Sequence, residues 1–124
     1  MNYGQARAYA VNVSRSGSIL GLDSIENLMH ELGDIQERLK IIHIAGTNGK
    51  GSTGAYLERV LIEAGYRVGR YSSPAVFDPM EVWRINLQSM SHEEYADIME
   101  QVKCACDRMV EKGMEHPTIF EVET

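Results

Sequence analysis

One stretch limits the folds open to this chain more than any other, Lys40 to Thr53, which reads KIIHIAGTNGKGST. Ile41, Ile42 and Ile44 are apolar and β-branched, the composition of a short buried strand. Gly46, Gly49 and Gly51 then interrupt the run around a single lysine, Lys50. From Thr53 onward, Leu57, Val60, Leu61 and Ala64 recur at the spacing of an amphipathic helix. Strand, glycine-rich loop with lysine, and helix, in that order, predict a phosphate-binding turn. Glycines let the backbone turn tightly and aim its N–H groups at an anion, in front of the positive end of the helix. The candidate phosphate ligands are Gly46, Thr47, Asn48, Gly49, Lys50, Gly51, Ser52 and Thr53. Lys50 is placed to reach β- and γ-phosphates, and Ser52 or Thr53 to offer a hydroxyl near a magnesium ion. The Walker A pattern G-x-x-x-x-G-K-[ST] is met only in part, because Ile44 stands at its first glycine and Gly51 separates Lys50 from Ser52. The plain alternative is a turn with a solvated lysine, which does not explain three glycines so close to it.

The rest of the chain arranges itself around that loop. Gly65 stops the helix, and residues 66–71 read as a second strand. Two strands joined by such a helix predict a right-handed βαβ unit with a parallel ladder. Ser72-Ser73-Pro74 then ends the strand at the sheet edge where ligands of open α/β sheets collect, so Ser73 shares a rim with Lys50. Asp78-Pro79 signals a turn, and residues 82–87 alternate as a hairpin or edge strand. Three further helices are expected. One covers residues 2 to about 15, with Tyr9, Ala10 and Val13 inward. Another starts at Asp23 as N-cap with Glu26, buries Ile25, Leu28, Met29 and Leu32, and stops at Gly33. The longest starts at a Ser91–Glu94 capping box and runs to about Gly113, with Tyr95, Ile98, Met99, Val102, Cys106, Met109 and Val110 as its apolar stripe. Thr118 and Glu121 open another capping box near the last residue. His30, His92 and His116 read as surface residues, and His43 as a strand residue just before the loop.

The loop Ala45–Thr53, AGTNGKGST, resembles the nucleotide loop of the folylpolyglutamate synthase/dihydrofolate synthase family, relatives of the Mur ligases. A glycine between lysine and serine is that family's own variant. Leu20-Gly21-Leu22, the LGDIQ run at 32–36, the GRYSSP run at 69–74 and the TIFE run at 118–121 agree with the family in order and spacing, so the resemblance spans the chain. It implies an α/β fold, a P-loop-containing parallel sheet with flanking helices of the Mur-ligase central-domain kind, in truncated form. Residues 1–124 would be the N-terminal portion of the ATP-binding domain, with its remainder and a C-terminal glutamate-binding domain outside this chain. The implied activity is an ATP-dependent ligase, with magnesium, that adds L-glutamate to dihydropteroate, to folates or to both through an acyl phosphate. The resemblance assigns catalysis to Lys50, magnesium contact to Ser73, and the border of the pterin to Leu20, Gly21, Thr118, Ile119, Phe120 and Glu121. The chain departs from the family after Glu81, where Val82 replaces a basic residue and Trp83 a smaller aliphatic one. On this reading the chain is inactive alone. The rivals are a noncatalytic nucleotide-binding module and a small-molecule kinase with an ordinary P-loop, the latter requiring a Walker B aspartate that the sequence lacks.

Charge and cysteine content narrow the partners. A net charge of −6 without a Lys/Arg cluster argues against a nucleic-acid surface. No apolar run is long enough for a bilayer and no signal peptide is evident, so no membrane partner is expected. Cys104 and Cys106 lie two apart in a helical pattern, face different sides, and imply a reducing, cytoplasmic setting. The expected partners are small molecules: dihydropteroate or folate, L-glutamate and ATP. The full-length parent is expected to be monomeric, the isolated fragment to self-associate through uncovered apolar faces.

Overall fold

A computed structural model describes residues 1–15, 17 and 21–124. Among them are the helices α1 (Tyr3–Ser14), α2 (Asp23–Glu31), α3 (Lys50–Glu63), α4 (His92–Glu111) and α5 (Ile119–Glu123), and the strands β1 (Gly69–Tyr71), β2 (Trp83–Ile85) and β3 (Gln88–Ser89). The chain forms two compact units, one of residues 1–39 and 93–124, the other of residues 40–92.

The first unit is helical. Asn2 caps α1 through a reciprocal box with Gln5, and the helix buries Ala6, Ala10 and Val13, a strict i, i+4, i+7 set. On α4 the buried stripe is Tyr95, Met99, Val102, Cys106 and Met109, as the spacing predicts, flanked by Ala96 and Ala105. Ile98 and Val110, expected on that stripe, are about half exposed because they sit at its solvent edge. Tyr95 meets Tyr3 edge-on at 5.8 Å between ring centroids. The start of α2 differs from expectation. Leu22 occupies the N-cap and Asp23 is the first helical residue, with no side-chain capping bond. Asp23 and Glu26 instead place charge in the first turn, where the helix dipole favours it. Of the four residues expected to be buried on α2, only Leu28 is fully so. The helix is fixed to α4 by Glu31, whose side chain and carbonyl accept from Arg108 at 3.0 Å each and which also pairs with Lys112. His116 is half-buried rather than on the surface: its Nε2 lies 3.0 Å from the Tyr9 hydroxyl and its Nδ1 2.7 Å from the Pro117 carbonyl.

The second unit carries α3 and the sheet. Beyond α3 the N–H groups of Gly65 and Tyr66 return to the carbonyls of Ile62 and Leu61, a Schellman closure that needs the positive φ of 92° at Gly65. β1 pairs with β2 and β2 with β3, both antiparallel, with Arg70 opposite Arg84 and Ile85 opposite Gln88. Asn86 and Leu87, both at positive φ, make the two-residue hairpin turn between β2 and β3. Asn86 also extends the ladder, donating its N–H to the Val68 carbonyl and accepting the Val68 N–H on its side chain.

The parallel ladder expected between residues 40–44 and 66–71 does not form among the described residues; 40–46 run without a strand partner. A parallel pair is slightly weaker than an antiparallel one and is found where both faces are covered. Here Ile41 and Ile42 are 68% and 60% exposed, so neither condition holds. The same is true of the apolar stripe on α3, where Val60 and Ala64 face solvent. The residues that α3 buries are Gly54 and Glu58.

Candidate functional site

The loop Gly46–Gly49 and the start of α3 form the candidate phosphate site. Gly49 is the N-cap in a left-handed conformation, φ 77° and ψ 3°, where a side chain would be strained. No side chain caps the helix, so the orphan N–H groups of its first turn have no side-chain acceptor at the cap. Lys50, the first helical residue, folds back over the loop and donates from Nζ to the Gly46 carbonyl at 2.5 Å. All eight candidate loop residues, 46 through 53, are exposed. The arrangement therefore presents aligned N–H donors, a helix dipole and one ammonium at a single place, which suits a polyphosphate.

The strand that leads to Ser73 is tied to this helix. Arg70 donates from Nη2 to the carbonyl of Gly51 at 3.0 Å, which sets β1 alongside the first turn of α3 three residues before Ser73. Ser73 itself is exposed, at a bend with a cis Ser73–Pro74 peptide. Asp78 caps a 3-10 turn at 79–82, where a turn was expected, accepting from the Met80 N–H at 2.8 Å. Glu81 accepts from the N–H groups of Val76 and Phe77 at 3.2 Å and so folds the loop after Ser73. Among the described residues no group of three His, Cys, Asp or Glu side chains could hold a metal ion. Magnesium keeps a mixed oxygen shell of phosphate, water and a few protein ligands, and the exposed hydroxyls of Ser52, Thr53 and Ser73 are of the right type for a part of it.

The expected pterin-side residues lie in the helical unit. Gly21 and Glu121 line one cavity of about 280 Å³ with Asp23, Ser24, Asn27 and Glu115, floored by Met109 and Met114. Ser24 Oγ is buried there without a hydrogen-bond partner. Thr118 and Glu121 also cap α5 reciprocally: Glu121 Oε2 accepts from the Thr118 N–H at 2.7 Å and from its hydroxyl at 3.0 Å. Ile119 and Phe120 are not on the cavity wall, and Phe120 is largely exposed. Leu20 lies outside the described residues. Asp23 was singled out only as a helix cap, and Ser24, Asn27 and Glu115 not at all; their only signal for a site is polarity next to Gly21 and just after Gly113. Glu58, Arg70 and Arg84 were missed too, although Gly54 and Glu58 stand one turn apart on the helix flank beside Leu57 and Leu61.

No family model matches the chain. It is 34% identical over 122 residues to the dihydrofolate synthase/folylpolyglutamate synthase of Bacillus subtilis, an alignment covering 98% of this chain and 28% of that protein. The apo form of folylpolyglutamate synthase from Lactobacillus casei superposes with a TM-score of 0.91 at 30% identity, over 99% of this chain and 30% of that one. A bifunctional folylpolyglutamate synthase/dihydrofolate synthase solved with Mn, AMPPNP and L-glutamate superposes at 0.80 and 33% identity, over 95% of this chain and 28% of its own. The chain thus spans about three tenths of the length of the relatives it matches. Sequence and fold together place the chain in the folylpolyglutamate synthase/dihydrofolate synthase family, with the α/β fold of the Mur-ligase kind.

Proposed function

We propose that this chain is the N-terminal portion of the ATP-binding domain of a cytoplasmic ligase that joins L-glutamate to dihydropteroate, to folates or to both, using ATP and magnesium. The observation that carries this reading is the uncapped start of α3 with Lys50 folded over the Gly46 carbonyl. In the proposed reaction the substrate carboxylate attacks the γ-phosphorus of ATP and ADP leaves. The amine of L-glutamate then attacks the acyl carbon, releasing phosphate and a proton. Backbone N–H groups at Gly49 and Gly51 cradle the phosphates, and Lys50 neutralises the charge that develops between them. Ser73, with Ser52 or Thr53, would offer hydroxyl oxygens to hold magnesium, which would supply neutralisation of phosphate charge there. Asp23, Glu115 and Glu121 give the cavity beside Gly21 acceptors suited to the N–H edge of a pterin. The partners are accordingly small molecules, not nucleic acid or membrane; no helix among the described residues is long and apolar enough to cross a bilayer. The test is Lys50→Met in the full-length protein. Loss of an electrostatic donor at the transferring group is expected to reduce kcat about 10²-fold or more with the fold intact, and near-normal turnover would remove Lys50 from the mechanism.

A further inference from the structure

The buried face of α3 holds a charge cluster that neither the loop motif nor the family resemblance accounts for. Glu58 is 2% exposed, and a carboxylate in that setting must be paired. Two guanidiniums answer it: Arg70 Nη1 lies 3.1 Å and Arg84 Nη2 3.5 Å from Glu58 Oε2. Pairing is incomplete, because Glu58 Oε1 and Arg84 Nε are buried without a hydrogen-bond partner. Such a cluster is a poor source of stability, since apolar residues of equal volume often do as well or better. Its effect is orientation. The guanidinium of Arg70 is a rigid planar fork. One arm is held by Glu58 while the other donates to the carbonyl of Gly51, the residue after Lys50. Gly54 gives the fork its place, for a Cβ there would stand 3.3 Å from Arg70 Nε and 3.4 Å from Nη2.

We propose that Arg70 is a positioning residue for the phosphate loop. Through the Gly51 carbonyl it sets the angle at which the first turn of α3 and Lys50 meet a phosphate, with Glu58 and Arg84 fixing the fork from behind. The idea rests on the nucleotide reading above, but its geometry stands apart from it. Arg70→Lys keeps a positive charge beside Glu58, yet one ammonium cannot hold Glu58 and Gly51 in the same fork geometry. In the full-length protein this variant is expected to lower kcat/KM for ATP about tenfold, through a higher KM and a lower kcat together, since small misplacements near the reacting group are costly. Hydrogen exchange at the hydrogen-bonded amides of residues 53–57 is expected to accelerate about tenfold, with the thermal midpoint nearly unchanged. Gly54→Ala, a better helix former that displaces the guanidinium, is expected to move both readouts in the same direction. A merely structural role would lower the thermal midpoint, leave KM unchanged and raise exchange at 53–57 no more than in the rest of the protein; that result overturns the proposal. Should Arg70→Lys fail to fold, Gly54→Ala decides, and unchanged exchange and KM in that variant overturn it equally. Absence of ATP-dependent turnover in the unmodified protein would defeat the ligase reading instead, and exchange at 53–57 would then decide the brace by itself.

Discussion

Ser73 and Lys50 show how differently two candidate residues are constrained. Lys50 is held by its own loop through the Gly46 carbonyl, so its position follows from local backbone. Ser73 depends on contacts far along the chain: Ser72 donates to the Val82 carbonyl at 3.0 Å, and Arg70 ties the strand to Gly51. A hydroxyl that contributes one oxygen to a magnesium shell changes the affinity for the ion more than the chemistry. In the full-length protein, Ser73→Ala is therefore expected to raise the magnesium concentration giving half-maximal activity several-fold, with little change in turnover at saturating magnesium. A titration that overlays the parent's would reduce Ser73 to a turn residue. The loop was legible in the sequence because glycines, a lysine and a following helix are local signals. Glu58 was not, because its burial is decided by Arg70 and Arg84, residues 12 and 26 positions away, and nothing in the sequence pairs them.

Among the elements, α1, α4 and α5 follow local sequence signals closely, whereas α2 buries less than its pattern suggested. The α4 stripe, the Asn2 and Thr118 boxes and, in the second unit, the Gly65 stop of α3 are all set by neighbours within a turn or two. Strands are less legible, because a strand exists only with a partner. The β-branched run at 41–44 has none among the described residues, whereas residues 83–85 find two, β1 and β3. The link between α2 and α4 gives a pH test. Lys112, and after it Arg108, hold the Glu31 carboxyl below the usual carboxylate range by hydrogen bonding to its charged form. A carboxyl with a lowered folded pKa contributes stability that is present above its unfolded value, about 4.3, and lost as pH falls through the folded one. The thermal midpoint of Glu31→Gln should thus lie below that of the parent near neutrality, and the two curves should draw together as pH falls below the unfolded value and through the folded one. A constant separation across that window would mean that packing, not charge, separates the two proteins.

At the scale of the whole chain, the described structure leaves much apolar surface uncovered in the unit of residues 40–92. Ile41, Ile42, Tyr56, Val60, Tyr66, Val76 and Phe77 are each at least 59% exposed. Single exposed apolar residues are ordinary, but a concentration of them in one small unit marks surface that other protein covers. Among the described residues the 41–44 segment has no strand partner, and a segment of that kind can recruit another strand. The relatives place about seven tenths of their length outside the region that this chain matches. A ligase must hold ATP, the pterin carboxylate and the L-glutamate amine at once, and this chain offers hydroxyls and one lysine but no acidic cluster for the metal among its described residues. The isolated 124-residue chain is therefore expected to release no ADP in a glutamate-dependent manner with dihydropteroate, L-glutamate, ATP and magnesium present. In sedimentation velocity it is expected to show a weight-average mass that rises with concentration above 13.9 kDa, because the uncovered faces pair with one another. Glutamate-dependent turnover by the isolated chain would show that its own residues complete the catalytic site. A concentration-independent monomer would show that residues 40–92 tolerate their exposed apolar surface without a partner.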